Sequence, residues 1–559
     1  MPTPLVPNPV PNPVPTPASP LPPEVYTFGT ADASRAETLS PAQLGFKAWN
    51  LLRMAELGLP VPPGLVLGTA WCQAAAAART PAVWREALTR LEQASGLRFG
   101  DARQPLLVSV RSGAPVSMPG MMQTLLDIGL CETTLPGFLR QTGHPRLVWD
   151  AYRRLVATYG ETVAGLDGEL FETELRTLAG HRDERDLDFS ELRTLTRRYL
   201  ALYRDHAGQP FPQDPQVQLA GAIEAVFASW QSPQAQAYRA MHGIDATVGT
   251  AVTVQQMVFG NAGGVSGAGV GFTRDPTSGE PVPWVDFLLH AQGEDVVSGR
   301  RSAHGHQGLA ERAPAVWQQL LAATRRVESA LGDMQDFEFT VQDGRLYLLQ
   351  TRTGKRSARA AVRIALDLVE EGVLSAAQAA ERLGPVQAAA CGWTRIVAAT
   401  PGATTAAAEP LARAASAQAG VVSGEIALDE ARVRERQAAG VPVLLLRRDA
   451  ETRDLSALEL AGGLLTSRGA RTAHAAVVAR QLGKVCLVGC EALQIDEAAR
   501  TVRLGERSFR EGEVLTLDGN EGAVYAGEVR TETVTDAKLL ARWKRLGAAQ
   551  PAASSAQAA

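Results

Sequence analysis

The sequence predicts a multidomain chain of mixed α/β and α+β class. The length of 559 residues is well past the ~250–300 residues at which a single hydrophobic core stops growing. From about Val25 to Thr351, short apolar runs such as Leu106 to Val110 and Leu346 to Leu349 alternate with long helical patterns. A second unit, from about Gly420 to Val529, carries apolar runs at Val441 to Leu446, Gly463 to Thr466, Val485 to Val488 and Val514 to Leu517. Turn signals such as Asp518-Gly519-Asn520 punctuate them, as expected of strands.

Taken in order, residues 1–23 hold 11 of the 34 prolines, which fixes φ and removes donors, so a disordered, extended tail is expected. Residues 24–355 form the first domain, nearly all helical between about 140 and 241. Residues 356–419 read as two helices followed by an Ala/Thr-rich linker, 420–530 as the second domain, and 531–559 as a C-terminal tail.

Composition narrows the function classes. With 45% hydrophobic and 20% charged residues and a net charge of -4, the chain is a globular protein without the basic surplus of a nucleic-acid binder. No apolar run reaches the ~18–20 residues of a membrane span. The first 34 residues contain no Lys or Arg, which argues against an export or transit signal. Five scattered cysteines suit a reduced, cytoplasmic protein rather than a disulfide framework. Cys486 and Cys490 have no second Cys/His pair nearby and read as buried core residues.

The chemistry is carried by five segments. In Leu464 to Cys490 a strand runs through a Gly-containing loop into a helix opened by His474 and stopped at Gly483. Free N–H groups and the positive helix end favour a neutral imidazole nucleophile there and then hold a phosphoryl group, with Thr472 placed to cap. Taken alone, a histidine in that place more often caps or packs than reacts. Arg111 follows a strand and precedes a Gly/Pro-rich loop, where a guanidinium can reach phosphate oxygens. In Gly332 to Arg352, two strands joined at Gln342-Asp343-Gly344 put Asp336 and Glu338 on one face of the first strand and Gln350 and Arg352 on one face of the second, so the hairpin presents them together. Such a hairpin suits Mg²⁺ and a triphosphate. Lys47 in GFKAWNL offers a point charge, and the six glycines between Phe259 and Phe272 would let backbone approach phosphates.

These segments resemble the dikinases that use phosphoenolpyruvate, specifically the pyruvate, phosphate dikinase family. Gly469 to Arg480 is similar to the run that carries that family's phosphorylated histidine, departing from it at Ala470, Arg471 and Ala473. Ser109 to Leu130 (SVRSGAPVSMPGMMQTLLDIGL) resembles its distinctive arginine loop, with Gln123 for the usual Asp. Gly45 to Leu51 is similar apart from Phe46 and Ala48, and Asp286 replaces a usual Glu.

The resemblance implies an ATP-grasp-type nucleotide-binding domain with a helical insertion, a helical linker, and a small swivelling β/β/α phosphohistidine domain. It implies His474 as the catalytic residue, Lys47, Arg111, Asp336, Glu338, Gln350 and Arg352 at the nucleotide, Glu338 and Gln350 at Mg²⁺, and Thr472 as a possible regulatory position. ATP and phosphate are the implied substrates. The family's phosphoenolpyruvate/pyruvate TIM barrel has no counterpart after Val529, so a separate barrel protein is one expected partner. Three readings stay open: a dikinase completed by such a barrel, transfer from His474 to another acceptor, and a non-catalytic ATP-binding module.

Overall fold

Two antiparallel sheets frame the first domain in the computed structural model, which describes residues 20–116, 118, 122–297, 305–384, 388–397, 409–449, 454–469, 471 and 474–548. Most of the expected proline-rich tail, residues 1–19, lies outside the described residues. The five-stranded sheet runs Val25–Phe28, Gly64–Leu67, Ala251–Gln256, Val108–Gly113, Thr124–Ile128. The four-stranded sheet runs Arg345–Thr353, Gln335–Gln342, Gly267–Phe272, Trp284–Leu289. Helices between Leu135 and His242 pack beside the first sheet around Tyr152, Tyr199, Phe211 and Phe227.

The strand Gly267–Phe272 corrects one reading of the glycines. A Cβ at Gly267 would meet Phe287 at 2.2 Å, and one at Gly269 would meet Phe339 at 2.4 Å. Gly271 likewise faces Phe337 at 2.9 Å. Three of the six glycines therefore make room for aromatic rings on a buried strand, not for phosphates. Phe287 and Phe339 stack there with centroids 5.8 Å apart.

The region expected as helices and linker holds the helices Ala358–Glu370 and Ala376–Leu383. Arg274 ties the first of these to the sheet, reaching Glu328 at 2.8 Å, Asp367 at 3.1 Å and Glu371 at 2.9 Å. The C-terminal tail is also structured in part. Strand Thr531–Thr535 pairs with Gly392–Ile396, and helix Ala537–Ala548 sets Leu539 and Leu546 into the same core as Ile364, Leu368, Phe272 and Met334.

The second domain is an eight-stranded sheet whose parallel centre is Val421–Ala427, Val443–Arg447, Gly463–Thr466 and Val485–Val488. Ala412–Arg413 and Ala415–Gln418 belong to this sheet, so the linker expected up to 419 ends earlier. Alanine-rich composition disguised an edge strand whose Ala417 is fully buried. Separate cores cover the two faces, one with Leu444, Leu465 and Cys490, the other with Leu445, Leu464 and Cys486. Burial pushes the Cys486 thiol up to about 12.

Candidate active site

The helix Pro41–Glu56 starts with a capping box of Ser40 and Gln43 and a proline in its first turn. Gly45 breaks its regularity with φ 71°. A Cβ on Gly45 would lie 1.8 Å from the Gly113 carbonyl oxygen, so only glycine lets the helix close on the end of strand Val108–Gly113. Phe46 N–H donates to the Ala114 carbonyl at 3.2 Å, and buried Asn50 Nδ2 donates to the Thr351 carbonyl at 2.7 Å. Helix, strand and hairpin are thereby fixed together, with Lys47 between them. Of the two residues that depart from the glycine pattern, Ala48 is absorbed into the core and Phe46 faces solvent.

Burial lowers the Lys47 amine to about 7, helped by Arg111 and Arg352 and opposed by Glu338. The same four groups meet across the gap between the sheets. Arg111 Nη2 lies 3.7 Å from Glu338 Oε2. Gln350 Nε2 donates to Glu338 Oε1 at 3.2 Å, and Arg352 Nε donates to Asp336 Oδ2 at 2.8 Å. The hairpin register pairs Asp336 with Arg352 and Glu338 with Gln350. Its turn is Asp343-Gly344, with φ 49° and 74°, as a tight two-residue connection requires. Burial raises the Asp336 carboxyl even with Arg352 beside it.

Arg111 and Glu338 open on a cleft of about 420 Å³ between the two sheets, which Gln256, Met257, Gln292 and Leu349 also line. Sequence reasoning gave these four no role. Leu349 has no local signal, because the register shift after Glu338 that leaves it unpaired is set by the partner strand. Glu338 and Gln350 offer hard oxygen donors of the kind Mg²⁺ accepts alongside phosphates and water. Among the described residues no three His, Cys, Asp or Glu side chains form a metal cluster.

His474 opens the helix His474–Gln481. Its side chain and all of Thr472 lie outside the described residues. The helix is seated by Ala475, Ala476 and Ala479 against Ala417, Cys486 and Val488. From it, buried Arg480 donates through Nε to the Ala417 carbonyl at 2.9 Å and through Nη2 to the Arg471 carbonyl at 3.2 Å. Its guanidinium lies 5.0 Å from the Phe272 ring and 5.3 Å from that of Trp284, and burial lowers it to about 10. Phe272 is the ladder partner of Asp336. The helix thus rests on the four-stranded sheet beside the Asp336–Arg352 pair.

A cleft between two antiparallel sheets, lined by arginine, carboxylate and amide groups with Lys47 close by, beside a small domain whose helix begins at a histidine, is the arrangement of a nucleotide-binding protein. Residues 73–307 match the model of the pyruvate phosphate dikinase AMP/ATP-binding domain, and residues 440–522 match that of the PEP-utilising enzyme mobile domain. The chain is 39% identical to the pyruvate, phosphate dikinase of Clostridium symbiosum over 520 residues, covering 91% of this chain and 58% of that protein. It is 39% identical to that of Rhizobium meliloti over 532 residues, covering 90% and 58%. A pyruvate, phosphate dikinase of Zea mays is 39% identical over 513 residues, covering 90% and 57%. Over these two domains the chain is similar to the pyruvate, phosphate dikinases, and it spans somewhat over half the length of these curated relatives. Among the described residues no helix is long and apolar enough to cross a membrane.

Proposed function

We propose that this chain performs the ATP half of a dikinase reaction, moving a phosphoryl group from ATP to His474 with phosphate as the second acceptor. The observation that carries the reading is the gathering of Lys47, Arg111, Glu338, Gln350 and Arg352 around one cleft while the helix begun by His474 packs on the same sheet. The imidazole nitrogen forms a bond to the β-phosphorus, and the bond from that phosphorus to the α-phosphate oxygen breaks, releasing AMP. Phosphate takes the γ-phosphoryl group as pyrophosphate, so atoms and charge balance.

Lys47, Arg111 and Arg352 counter the triphosphate charge, and they are fixed in advance by backbone contacts rather than recruited by substrate. Glu338 and Gln350 would hold Mg²⁺, which supplies charge neutralisation on the transferring phosphates. The helix N-terminus stabilises the phosphohistidine. We assign phosphoenolpyruvate formation from pyruvate to a barrel distinct from both domains, and the buried free cysteines support a reducing, cytoplasmic setting.

Incubation with β-labelled ATP, Mg²⁺ and phosphate is expected to leave an acid-labile, base-stable label on the protein. A His474→Asn variant should take up none. Undiminished labelling of that variant would overturn the assignment.

A further inference from the structure

We propose that Arg471 is a docking latch, a positioning residue that holds the mobile domain on the ATP-binding face during transfer. It lies three positions before His474, in the loop between strand Gly463–Thr466 and the helix. Its contacts are in the other domain. Nε donates to Asp286 Oδ1 at 3.1 Å and Nη2 to the same oxygen at 2.5 Å, while Nη2 also reaches the Val285 carbonyl at 3.5 Å. The guanidinium carbon sits 3.8 Å from the Trp284 ring centroid. Asp286 and Trp284 both belong to the strand Trp284–Leu289 of the ATP-binding sheet.

The energetics make this contact conditional on docking. Asp286 is 1% exposed, and its second oxygen, Oδ2, is buried without a hydrogen-bond partner among the described residues. A carboxylate so enclosed needs its counter-charge, so the docked arrangement depends on Arg471. When the domains part, the Arg471 guanidinium returns to water, which keeps the contact reversible. Arg480 donates to the Arg471 carbonyl, so the Arg471 backbone, three positions before His474, is held as well as its side chain. Both ends of the pair, Arg471 and Asp286, are places where the sequence departs from the pattern it otherwise follows. That coincidence fits a paired adaptation.

The inference rests on the proposed transfer only for its kinetic consequence, and docking can be read without it. Solution scattering of the full chain reports the compact state directly. Arg471→Glu should raise the radius of gyration at an unchanged unfolding midpoint, and Arg471→Met should do so less. Combining Arg471→Glu with Asp286→Arg should restore compactness, and raised salt should expand the wild type. In parallel, labelling from ATP should slow by about 10-fold or more in Arg471→Glu with KM for ATP unchanged, and recover in the charge-swapped pair. A wild-type radius of gyration and labelling rate in Arg471→Glu would overturn the latch. If wild-type protein takes no label, the transfer proposal fails while scattering still decides the docking claim.

Discussion

The proposed nucleotide cleft draws its polar and charged groups from places far apart in the chain. Lys47 comes from a helix, Arg111 from one sheet, and Glu338, Gln350 and Arg352 from a hairpin in the other. In the mobile domain, by contrast, one loop and one eight-residue helix between Gly463 and Val488 present His474. The first arrangement is a shared electrostatic environment, in which Arg111, Arg352 and Glu338 all act on the ionisation of Lys47. The second concentrates the chemistry in a single group on a carrier. Substitutions in the cleft should therefore give graded losses set by charge and geometry, whereas at the carrier the outcome should be all or none.

Glu338→Ala should sharpen this contrast most, because it removes a carboxylate from the proposed metal position and leaves Arg111 facing Lys47 without compensation. AMP formation should fall by about 1,000-fold while the unfolding midpoint changes little. Wild-type AMP formation would mean that the metal and phosphates lie elsewhere.

A smaller effect is expected from Gly45→Ala, which touches no substrate. The new methyl group would overlap the Gly113 carbonyl at a left-handed φ, at a cost of about 2 kcal/mol. The helix should yield by moving Lys47, so KM for ATP should rise along with the loss of stability. Unchanged KM would show that the helix contact does not position the lysine.

The smallest effect concerns protons. In the unfolded chain Lys47 holds its proton to 10.5, and in the fold only to about 7. The folded chain thus sheds a proton between these values, so its stability should rise with pH across that window. Bound triphosphate should return the proton. Calorimetric titration of ATP at pH 8 in two buffers of different ionisation enthalpy should report uptake, and Lys47→Met should abolish it. Absence of uptake in the wild type would break the claim of coupled charges in the cleft.

The same contrast explains what the sequence made legible. The carrier run is contiguous, so its strand, loop, helix and following strand could be read from apolar periodicity and the glycine stop. The hairpin faces could be read from alternation, since Asp336 and Glu338 lie two apart. The contact between Arg471 and Asp286 could not, because 185 positions separate them and nothing local marks either residue as paired. The glycines of strand Gly267–Phe272 misled because a flexible loop and a strand crowded by phenylalanines call for the same residue. The edge strand Ala415–Gln418 was hidden because its register comes from the neighbouring strand Val485–Val488, not from its own side chains.

The central claim, that the cleft hands the β-phosphoryl group of ATP to His474, is tested most directly by parallel incubations with ATP labelled only at the β or only at the γ position. Each needs Mg²⁺ and phosphate, followed by mapping of the labelled peptide and counting of nucleotide products. β-Label is expected on the peptide containing His474, γ-label in pyrophosphate, and AMP equal to the phosphohistidine formed. Label from the γ position on the chain, with ADP as the product, would contradict it.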